Sequence, residues 1–554
     1  FTRRALVLGA AQAGVGGLLA LRMGWLSIFE QERYRLLAES NRVSLSLVPP
    51  RRGWIVDRAG KPLAMNRPEL EIRLARDQAR DLDKLLARLT PMLGLTESDL
   101  KRIHDEAESN TGISSIKIAS VDWNKYAKVS IELPTLPGVQ PVRGFARVYP
   151  DGAAVGHLLG HVGSASAEQY QEKKNPLLLF PGFRIGKEGL EKMLDTELIG
   201  KPGAQRTEVN ARGQVVRELG TIAATAGATV RLTIDGGLQA YTARRLGTHS
   251  GSAALLDCVN GDILAMCSMP SYDPNSFSDG IGRDEWAMLQ ANDHLPLLNK
   301  TLQGLYPPGS TFKPVTALAL LEAGVAPDAA VVCTGRYRLG NSYFHCHKRG
   351  GHGVVSLNKA IAQSCDIYFY HFGRQIGIDA IAAVARKMGL GAEYDLPVAS
   401  QRYGTVPDRA WKKKKYGKDW TEGETLSAAI GQGYVLTNPL QLAVMTARLA
   451  SGRALQPSLL LGERRVAEEV LDVDPAHLAL VRAGMNAVVN GGGTAGRARL
   501  QVEGMQMAGK SGTAQVRRIT MAERRRGVLR NEALPWHLRD HALFIAYAPT
   551  DAPR

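Results

Sequence analysis

Ser310 and Lys313 lie three residues apart in Tyr306-Pro307-Pro308-Gly309-Ser310-Thr311-Phe312-Lys313-Pro314. If this stretch opens a helix, the hydroxyl and the amine share one face. Such a pair supports nucleophilic catalysis, in which the serine oxygen attacks and an uncharged lysine takes its proton. Pro-Pro-Gly breaks the preceding structure, Ser310 stands at an N-cap position, and the apolar run from Val315 to Leu321 closes at Gly324 as a C′ residue. Alone, S-x-x-K reads equally well as a capped surface helix. Two later stretches give it meaning. Ser364-Cys365-Asp366 precedes the apolar-aromatic Ile367 to Tyr370, and Lys510-Ser511-Gly512-Thr513 has a strand-like setting.

A second constellation lies between the first two motifs. Cys333, Cys346, His352 and Cys365 supply three thiolates and an imidazole, which fill a closed tetrahedral zinc site. His345 and His347 compete for the histidine role, and two alternatives stay open: a Cys333–Cys346 disulfide, or reduced buried thiols. Cys365 would pin the middle motif to such a metal. The other two cysteines fall on a hairpin turning at Asn260-Gly261. A two-residue loop places Cys258 opposite Ile263 and Ala254 opposite Cys267, so these two thiols do not bond. His157 and His161 are spaced for metal binding but lack an obvious acidic partner, and read as packing residues.

These residues need elements to hold them. A chain of 554 residues exceeds one core and implies two or three domains. The composition, 44% hydrophobic and 22% charged, is that of an ordinary globular protein. The formal charge of +16 points to an anionic partner such as lipid headgroups or an acidic polymer. Neither a zinc finger, an RNA-recognition signature nor a basic helix is present, so nucleic acid is set aside. The basic runs Lys412–Lys415 and Arg524–Arg526 read as solvated loops.

Arg3-Arg4 precede an apolar run from Ala5 to Leu21, then Arg22 and a patch from Trp25 to Phe29. That pattern predicts an uncleaved membrane anchor over 1–29, with the start inside and the bulk outside the cytoplasm. A cleaved signal peptide is the rival, although no A-x-A site follows cleanly. Gly9, Ala13 and Gly17 form a small-residue stripe suited to packing against another membrane helix. Glu30–Arg42 reads as a helix, Arg52–Ala64 as strand, turn and strand, and 82–93 and 97–107 as short amphipathic helices. The Ala/Gly-rich link from Gly220 to Gly227 separates a mixed domain over 30–225 from a third over 226–554. In the third, a hairpin comes first, helices are inserted, and strands near 506–516 and 541–548 come last. This is an α+β arrangement, an antiparallel sheet packed with helices.

S-x-x-K, then S-x-[ND], then K-[ST]-G in one domain resembles the signature set of penicillin-binding proteins and serine β-lactamases. Arg52–Ala64, Gly186–Glu191, Gly261–Met266, Tyr272-Asp273-Pro274-Asn275 and Gly431-Gln432-Gly433 extend the resemblance over essentially the whole chain, to the class B penicillin-binding proteins. Tyr306-Pro307-Pro308-Gly309 and Asp366, where the division-specific members usually carry Asn, resemble its cell-elongation branch, penicillin-binding protein 2. The resemblance implies a peptidoglycan D,D-transpeptidase that cross-links stem peptides through a Ser310 acyl-enzyme and is acylated by β-lactams. It implies Lys313 as base, with its pKa lowered by burial and Lys510, and Ser364 as proton relay. Ser310 and Thr513 N–H groups would form the oxyanion hole, and Lys510, Ser511, Gly512 and Thr513 the carboxylate cradle. Asp366 would donate to substrate if protonated, or pair with Lys313 or Lys510. No cofactor is needed for acyl transfer.

It further implies a non-catalytic pedestal (dimerisation-type) over 30–225, a single-pass inner-membrane location with the bulk periplasmic, and a polytopic glycosyltransferase of the elongation machinery as partner. Members generally continue with another strand and helix, so the transpeptidase domain is expected to be cut short at its C-terminus. A D,D-carboxypeptidase or β-lactamase using water, and a non-catalytic β-lactam sensor, are the rival readings. The long N-terminal region argues against the first, and the lack of extra transmembrane segments against the second.

Overall fold

The computed structural model describes residues 3–28, 43–75, 81–108, 115–209, 215–278, 280–462, 469–517, 523, 526–527 and 529–554. The helix expected over Glu30–Arg42 and the run Arg524-Arg525 lie outside them. The first helix, α1 (Arg3–Ile28), takes in the apolar amino-terminal run. Among the described residues no helix is long and apolar enough to cross a membrane.

Among the described residues the amino-terminal half holds two larger sheets and a short antiparallel pair, Val162-Gly163 with Ile185-Gly186. Strand β1 (Val43–Val48) will pair with a later strand, while β2 (Ile55–Val56) and the long β3 (Pro62–Leu74) turn about Ala59-Gly60 as expected. Helix α2 (Leu82–Leu93) follows, capped by Asp81 and stopped by Gly94 in the left-handed region. Helix α3 (Glu97–Glu108), β4 (Ile116–Val121), α4 (Trp123–Glu132) and β5 (Val139–Val148) complete a small unit. β3 pairs antiparallel with both β4 and β5. Leu85, Leu86, Leu89 and Leu93 form one stripe of α2 and bury against Ile72, Leu74, Ile103 and Ile118. Strands β6 (Gly203–Val209) and β7 (Val215–Ile222) join β1 in the second sheet, in the order β1-β6-β7. β7 runs into the stretch expected as a link.

The link then returns to the first sheet. Val230-Arg231 pair parallel with Ile55-Val56, Leu232 N–H donates to Val56 O, and Arg58 N–H donates to Ile234 O. Asp235 caps α5 (Gly236–Leu246). Strands β8 (Gly251–Leu256) and β9 (Ile263–Met269) form the expected hairpin, but not its register. Ala253, not Ala254, opposes Cys267, Leu256 opposes Ile263, and a bulge lies at Leu255/Leu256. Asp257 Oδ1 accepts the Val259 N–H, and Asn260 Oδ1 the Asp262 N–H. These side-chain turns pull Cys258 out of the ladder.

The nucleophile helix α6 (Lys313–Glu322) is buried all round down to Leu321, so its sequence is apolar rather than amphipathic. Short strands β10 (Val331–Cys333), β11 (Arg336–Leu339), β12 (Ser342–His345) and β13 (Gly353–Val355) make two small antiparallel pairs, β10 with β13 and β11 with β12. Then come α7 (Leu357–Ala362), α8 (Asp366–Lys387), α9 (Arg409–Tyr416), α10 (Glu422–Ala429), α11 (Pro439–Ser451) and α12 (Pro475–Asn490). The run Lys412–Lys415, expected as loop, is therefore helical. Strands β14 (Ala508–Ala514) and β15 (His541–Tyr547) pair antiparallel, Lys510 opposite Ile545 and Thr513 opposite Ala542. One core gathers α6, α8 and α12 with Ala508, Ile545 and Tyr547. The α+β arrangement is as expected, with the sheet present as two antiparallel pairs.

The two halves are pinned together by side chains of the Tyr272–Asn275 block. Asn275 accepts the Tyr149 N–H and donates to Tyr149 O, both at 3.0 Å. Tyr272 contacts Gly156 O and Glu188. His157 and His161 pack their rings on Tyr272 and Phe277.

Candidate active site

Ser310 does not cap a helix. Gly309–Phe312 form a single 3-10 turn and α6 begins only at Lys313. Pro308 ends the approach, and Gly309 has φ +54°, a conformation costly for other residues. A Cβ there would stand 2.4 Å from Thr513 O, so glycine lets the turn lie against β14. Gly512 does the same from the strand side, where a Cβ would meet Thr311 Cγ2 at 2.8 Å. Gly309 N–H donates to Gly431 O, and the Gln432 side-chain amide donates to Thr513 O at 3.1 Å. The Lys-Ser-Gly strand and the half-buried Ser310 are thus held side by side.

Lys313 is fully buried and donates three hydrogen bonds: to Ser364 O at 2.7 Å, Ser364 Oγ at 3.1 Å and Asp366 Oδ1 at 2.7 Å. Two of these partners belong to Ser364, and the third is a carboxylate oxygen that pairs with the amine. Of the two roles left open for Asp366, the structure shows pairing with Lys313. Burial alone would raise the Asp366 carboxyl, but the Lys313 charge and the bonds from His347 and Lys313 hold it well below the usual carboxylate range. Its second oxygen accepts the His347 N–H at 2.9 Å.

Ser364 sits between α7 and α8 at φ +55°, left-handed for a non-glycine residue. Ser364 N–H returns to Ile361 O and Cys365 N–H to Ala360 O. This turn aims both the carbonyl and the hydroxyl of Ser364 at Lys313, at a cost of about 1 kcal/mol of backbone strain. Lys510 is also buried and donates to Ser511 O at 2.9 Å. Burial first, then the Lys313 charge, push its amine well below the ordinary lysine value, against the pull of Asp366. Ser511 Oγ meets Thr494 Oγ1 at 2.8 Å. Sequence reasoning missed Thr494 and the amide of Gln432, and weighed His347 only as a rival metal ligand, not as a partner of Asp366. Only Gln432 carried a local signal, the glycines on either side of it.

Beside this site, Cys333, Cys346, His352 and Cys365 bring one ligand atom each within 4.8 Å of one another. Both Cys333 Sγ and Cys346 Sγ stand 3.5 Å from His352 Nδ1. A tetrahedral zinc with bonds of about 2.3 Å to sulfur and 2.0–2.1 Å to nitrogen requires an S···N edge of about 3.5 Å, so the donor set and its spacing fit the ion. All five cysteines are free thiols, so neither the alternative Cys333–Cys346 disulfide nor a Cys258–Cys267 bond is formed.

A half-buried serine and a buried lysine three residues apart, a serine on a strained turn bonded to that lysine and a Lys-Ser-Gly strand packed on the nucleophile turn have the arrangement of an active-site-serine acyl-transferase. The comparisons agree. Residues 251–554 match the penicillin-binding protein transpeptidase domain, and 47–232 the penicillin-binding protein dimerisation domain. The peptidoglycan D,D-transpeptidase MrdA of Acinetobacter baumannii is 33% identical over 97% of this chain and 81% of its own length. That of Escherichia coli K12 is 31% identical over 100% and 90%. Among solved structures, the penicillin-binding protein (PBP2) of Helicobacter pylori in complex with MreC superposes with TM-score 0.78 at 28% identity, covering 92% of this chain and 93% of that one. Pseudomonas aeruginosa PBP2 in complex with WCK 5153 gives TM-score 0.66 at 32% identity, covering 92% and 90%. The chain belongs to the class B penicillin-binding proteins, in the penicillin-binding protein 2 family.

Proposed function

We propose that this protein is the D,D-transpeptidase that cross-links peptidoglycan stem peptides during cell elongation, with Ser310 as nucleophile. Its Oγ attacks the carbonyl of a terminal D-Ala-D-Ala bond, the C–N bond breaks, and D-Ala leaves with the proton taken from Ser310. An amine of a second stem peptide then attacks the ester, forming the cross-link and returning a proton to Ser310. For the first step Lys313, as the uncharged amine, opens one of its three contacts and takes the Ser310 proton. Ser364 Oγ, already on the lysine, relays a proton to the leaving amine. The N–H groups of Ser310 and Thr513 receive the oxyanion, about 3 kcal/mol for each donor. Lys510, Ser511, Gly512 and Thr513 cradle the substrate carboxylate. The observation that carries this reading is the Lys313 amine shared between Ser364 and Asp366, one turn from Ser310.

Residues 1–29 act as a single-pass anchor in the inner membrane with the bulk periplasmic, 30–225 as the pedestal and 226–554 as the transpeptidase domain. The apolar run behind Arg3-Arg4 supports the anchor. A polytopic glycosyltransferase is the partner in the membrane; one relative with TM-score 0.69 comes from work titled as structural coordination of polymerization and crosslinking by a peptidoglycan synthase complex. Cys333, Cys346, His352 and Cys365 hold a structural zinc, which when bound cross-links β10, the segment after β12 and the start of α8, and takes no part in acyl transfer.

Labelling with a fluorescent penicillin tests the reading. Wild type acquires covalent label and Ser310→Ala acquires none. Equal label on both proteins would place the nucleophile elsewhere.

A further inference from the structure

The basic run at residues 412–415 has no part in acyl transfer, yet the structure gives it a definite form. Asp408 caps α9 by accepting the Trp411 N–H at 2.7 Å, and Gly417 ends the helix in the left-handed region. Four consecutive lysines on one short helix repel one another. Neighbours neutralise two of them, Lys412 through Glu424 at 2.5 and 2.6 Å and Lys413 through Asp419 at 2.8 Å. Lys414 and Lys415 have no carboxylate partner among the described residues. Lys415 instead holds its Nζ over the rings of Trp411 and Tyr416, at 5.2 and 5.7 Å.

Those two rings meet a third, Tyr434. Ring centroids are 5.4 Å apart for Trp411–Tyr434, 5.5 Å for Tyr416–Tyr434 and 5.7 Å for Trp411–Tyr416. Tyr416 is 46% exposed, and the other two are half-buried. Tyr434 follows the Gly431–Gly433 turn, whose Gly431 carbonyl holds the Gly309 N–H beside Ser310. Two residues of chain separate Gly431 from Tyr434, so the Tyr434 Cα lies within about 11 Å of the residue that holds the nucleophile turn. The result is a rigid aromatic shelf rimmed by unneutralised cations at the edge of the active site.

The geometry points to this shelf as the seat of the acceptor strand: sugar rings of a glycan chain stack on Trp411, Tyr416 and Tyr434, and carboxylates of its stem peptides pair with Lys414 and Lys415. The C–H faces of a sugar complement the electron-rich faces of the rings, and the carboxylates complement the cationic rim. A strand seated there presents its amine toward the Ser310 ester. The inference rests on the transpeptidase reading, since a hydrolase needs no polymeric acceptor.

The test uses the full chain, purified peptidoglycan sacculi and a fluorescent penicillin. Lys414→Glu/Lys415→Glu and Tyr416→Ala change exposed side chains and leave the core intact. The charge reversal lowers cosedimentation affinity for sacculi about tenfold and Tyr416→Ala about threefold, while the rate of penicillin labelling stays within about twofold of wild type. Added salt brings wild type toward the charge-reversed protein. Unchanged sacculus affinity in both variants overturns the assignment. So does loss of binding to phosphatidylglycerol vesicles with sacculus binding retained, which would make the patch a lipid contact. An unlabelled wild type would strike the transpeptidase reading itself, and the sacculus affinities would still decide whether the shelf binds the polymer.

Discussion

Asp366 holds Lys313 with one carboxylate oxygen, 2.7 Å from Nζ, and the main chain of His347 with the other. Both charges of the pair are buried. Removing the carboxylate therefore strands an ammonium in the core, which costs about 3–5 kcal/mol. Asp366→Ala should lower the melting temperature of the transpeptidase half by several degrees, and Asp366→Asn by clearly less, because its amide oxygen still accepts from Lys313. Equal melting temperatures for wild type and Asp366→Ala would mean that the pair contributes nothing to stability.

The cysteine cluster reaches the same carboxylate. His347 follows Cys346, and Asp366 follows Cys365. Purified protein should carry about one zinc per chain, Cys333→Ser and Cys365→Ser should lose it, and Cys258→Ser should retain it. Chelation should slow penicillin labelling along with metal release. A metal-free protein of full stability and full labelling would sink the zinc assignment.

Gly309 is a point of contact that no side chain can share. Gly309→Ala combines a positive φ with a Cβ 2.4 Å from Thr513 O, and separates the nucleophile turn from β14. Displacement of about 1 Å at a reacting centre costs about a hundredfold in rate. Acylation kinetics should show that loss with the far-ultraviolet spectrum unchanged.

In the pedestal, Glu191 is fully buried and accepts from Arg52 at 2.6 Å and Arg147 at 2.7 Å. Burial would raise its carboxyl, yet the two guanidinium groups prevail and lower it. A depressed carboxylate contributes stability above its unfolded value and loses it as pH falls through the folded one, so this contribution persists at neutral pH. Glu191→Gln should destabilise by about 3–5 kcal/mol at pH 7, measured by denaturant unfolding. A change below about 1 kcal/mol would contradict the account.

His157 and His161 set a different pH window. Burial lowers both to about 4, with nearby lysines adding to it. Between about pH 6.5 and 4 the unfolded chain binds protons that the folded chain does not, so stability falls with pH across that window. Each ring contributes up to about 2 kcal/mol of this loss by pH 5, His161 less because it is partly exposed. Replacing both by leucine should flatten the melting temperature between pH 7 and 5. An unchanged slope would remove these rings as its source.

The three motifs and the cysteine set were readable in the sequence because each is a short run whose residue types serve few purposes in combination. The strand-turn-strand at Arg52–Ala64 and helix α2 were readable for the same reason, since their caps and apolar stripes are local. What escaped depended on partners far along the chain. Ser310 looked like an N-cap, but packing of Gly309 on Thr513 winds that turn tighter and delays the helix to Lys313. The partner of Lys313 was ambiguous because the choice between a neutral and a charged amine depends on which groups surround it, not on which residues flank it. The hairpin register slipped by one because the side-chain turns of Asp257 and Asn260 took a residue out of the ladder. The lysine run looked like solvent-facing loop because Glu424 and Asp419, which make its helix tolerable, follow it outside the run.

The parallel pairing of Val230-Arg231 with Ile55-Val56 has a mechanical corollary. The last strand before the catalytic half is sewn into the first sheet of the pedestal, and Arg58 and Ile234 extend the seam by one more bond. A single proteolytic nick between residues 222 and 229 would therefore leave two fragments that still travel together. A tug on the pedestal would reach the hairpin and α5 through a sheet rather than through a tether. A shift of the β2–β3 turn would therefore be felt at Asp235, where α5 starts, one residue beyond the last bond of the seam.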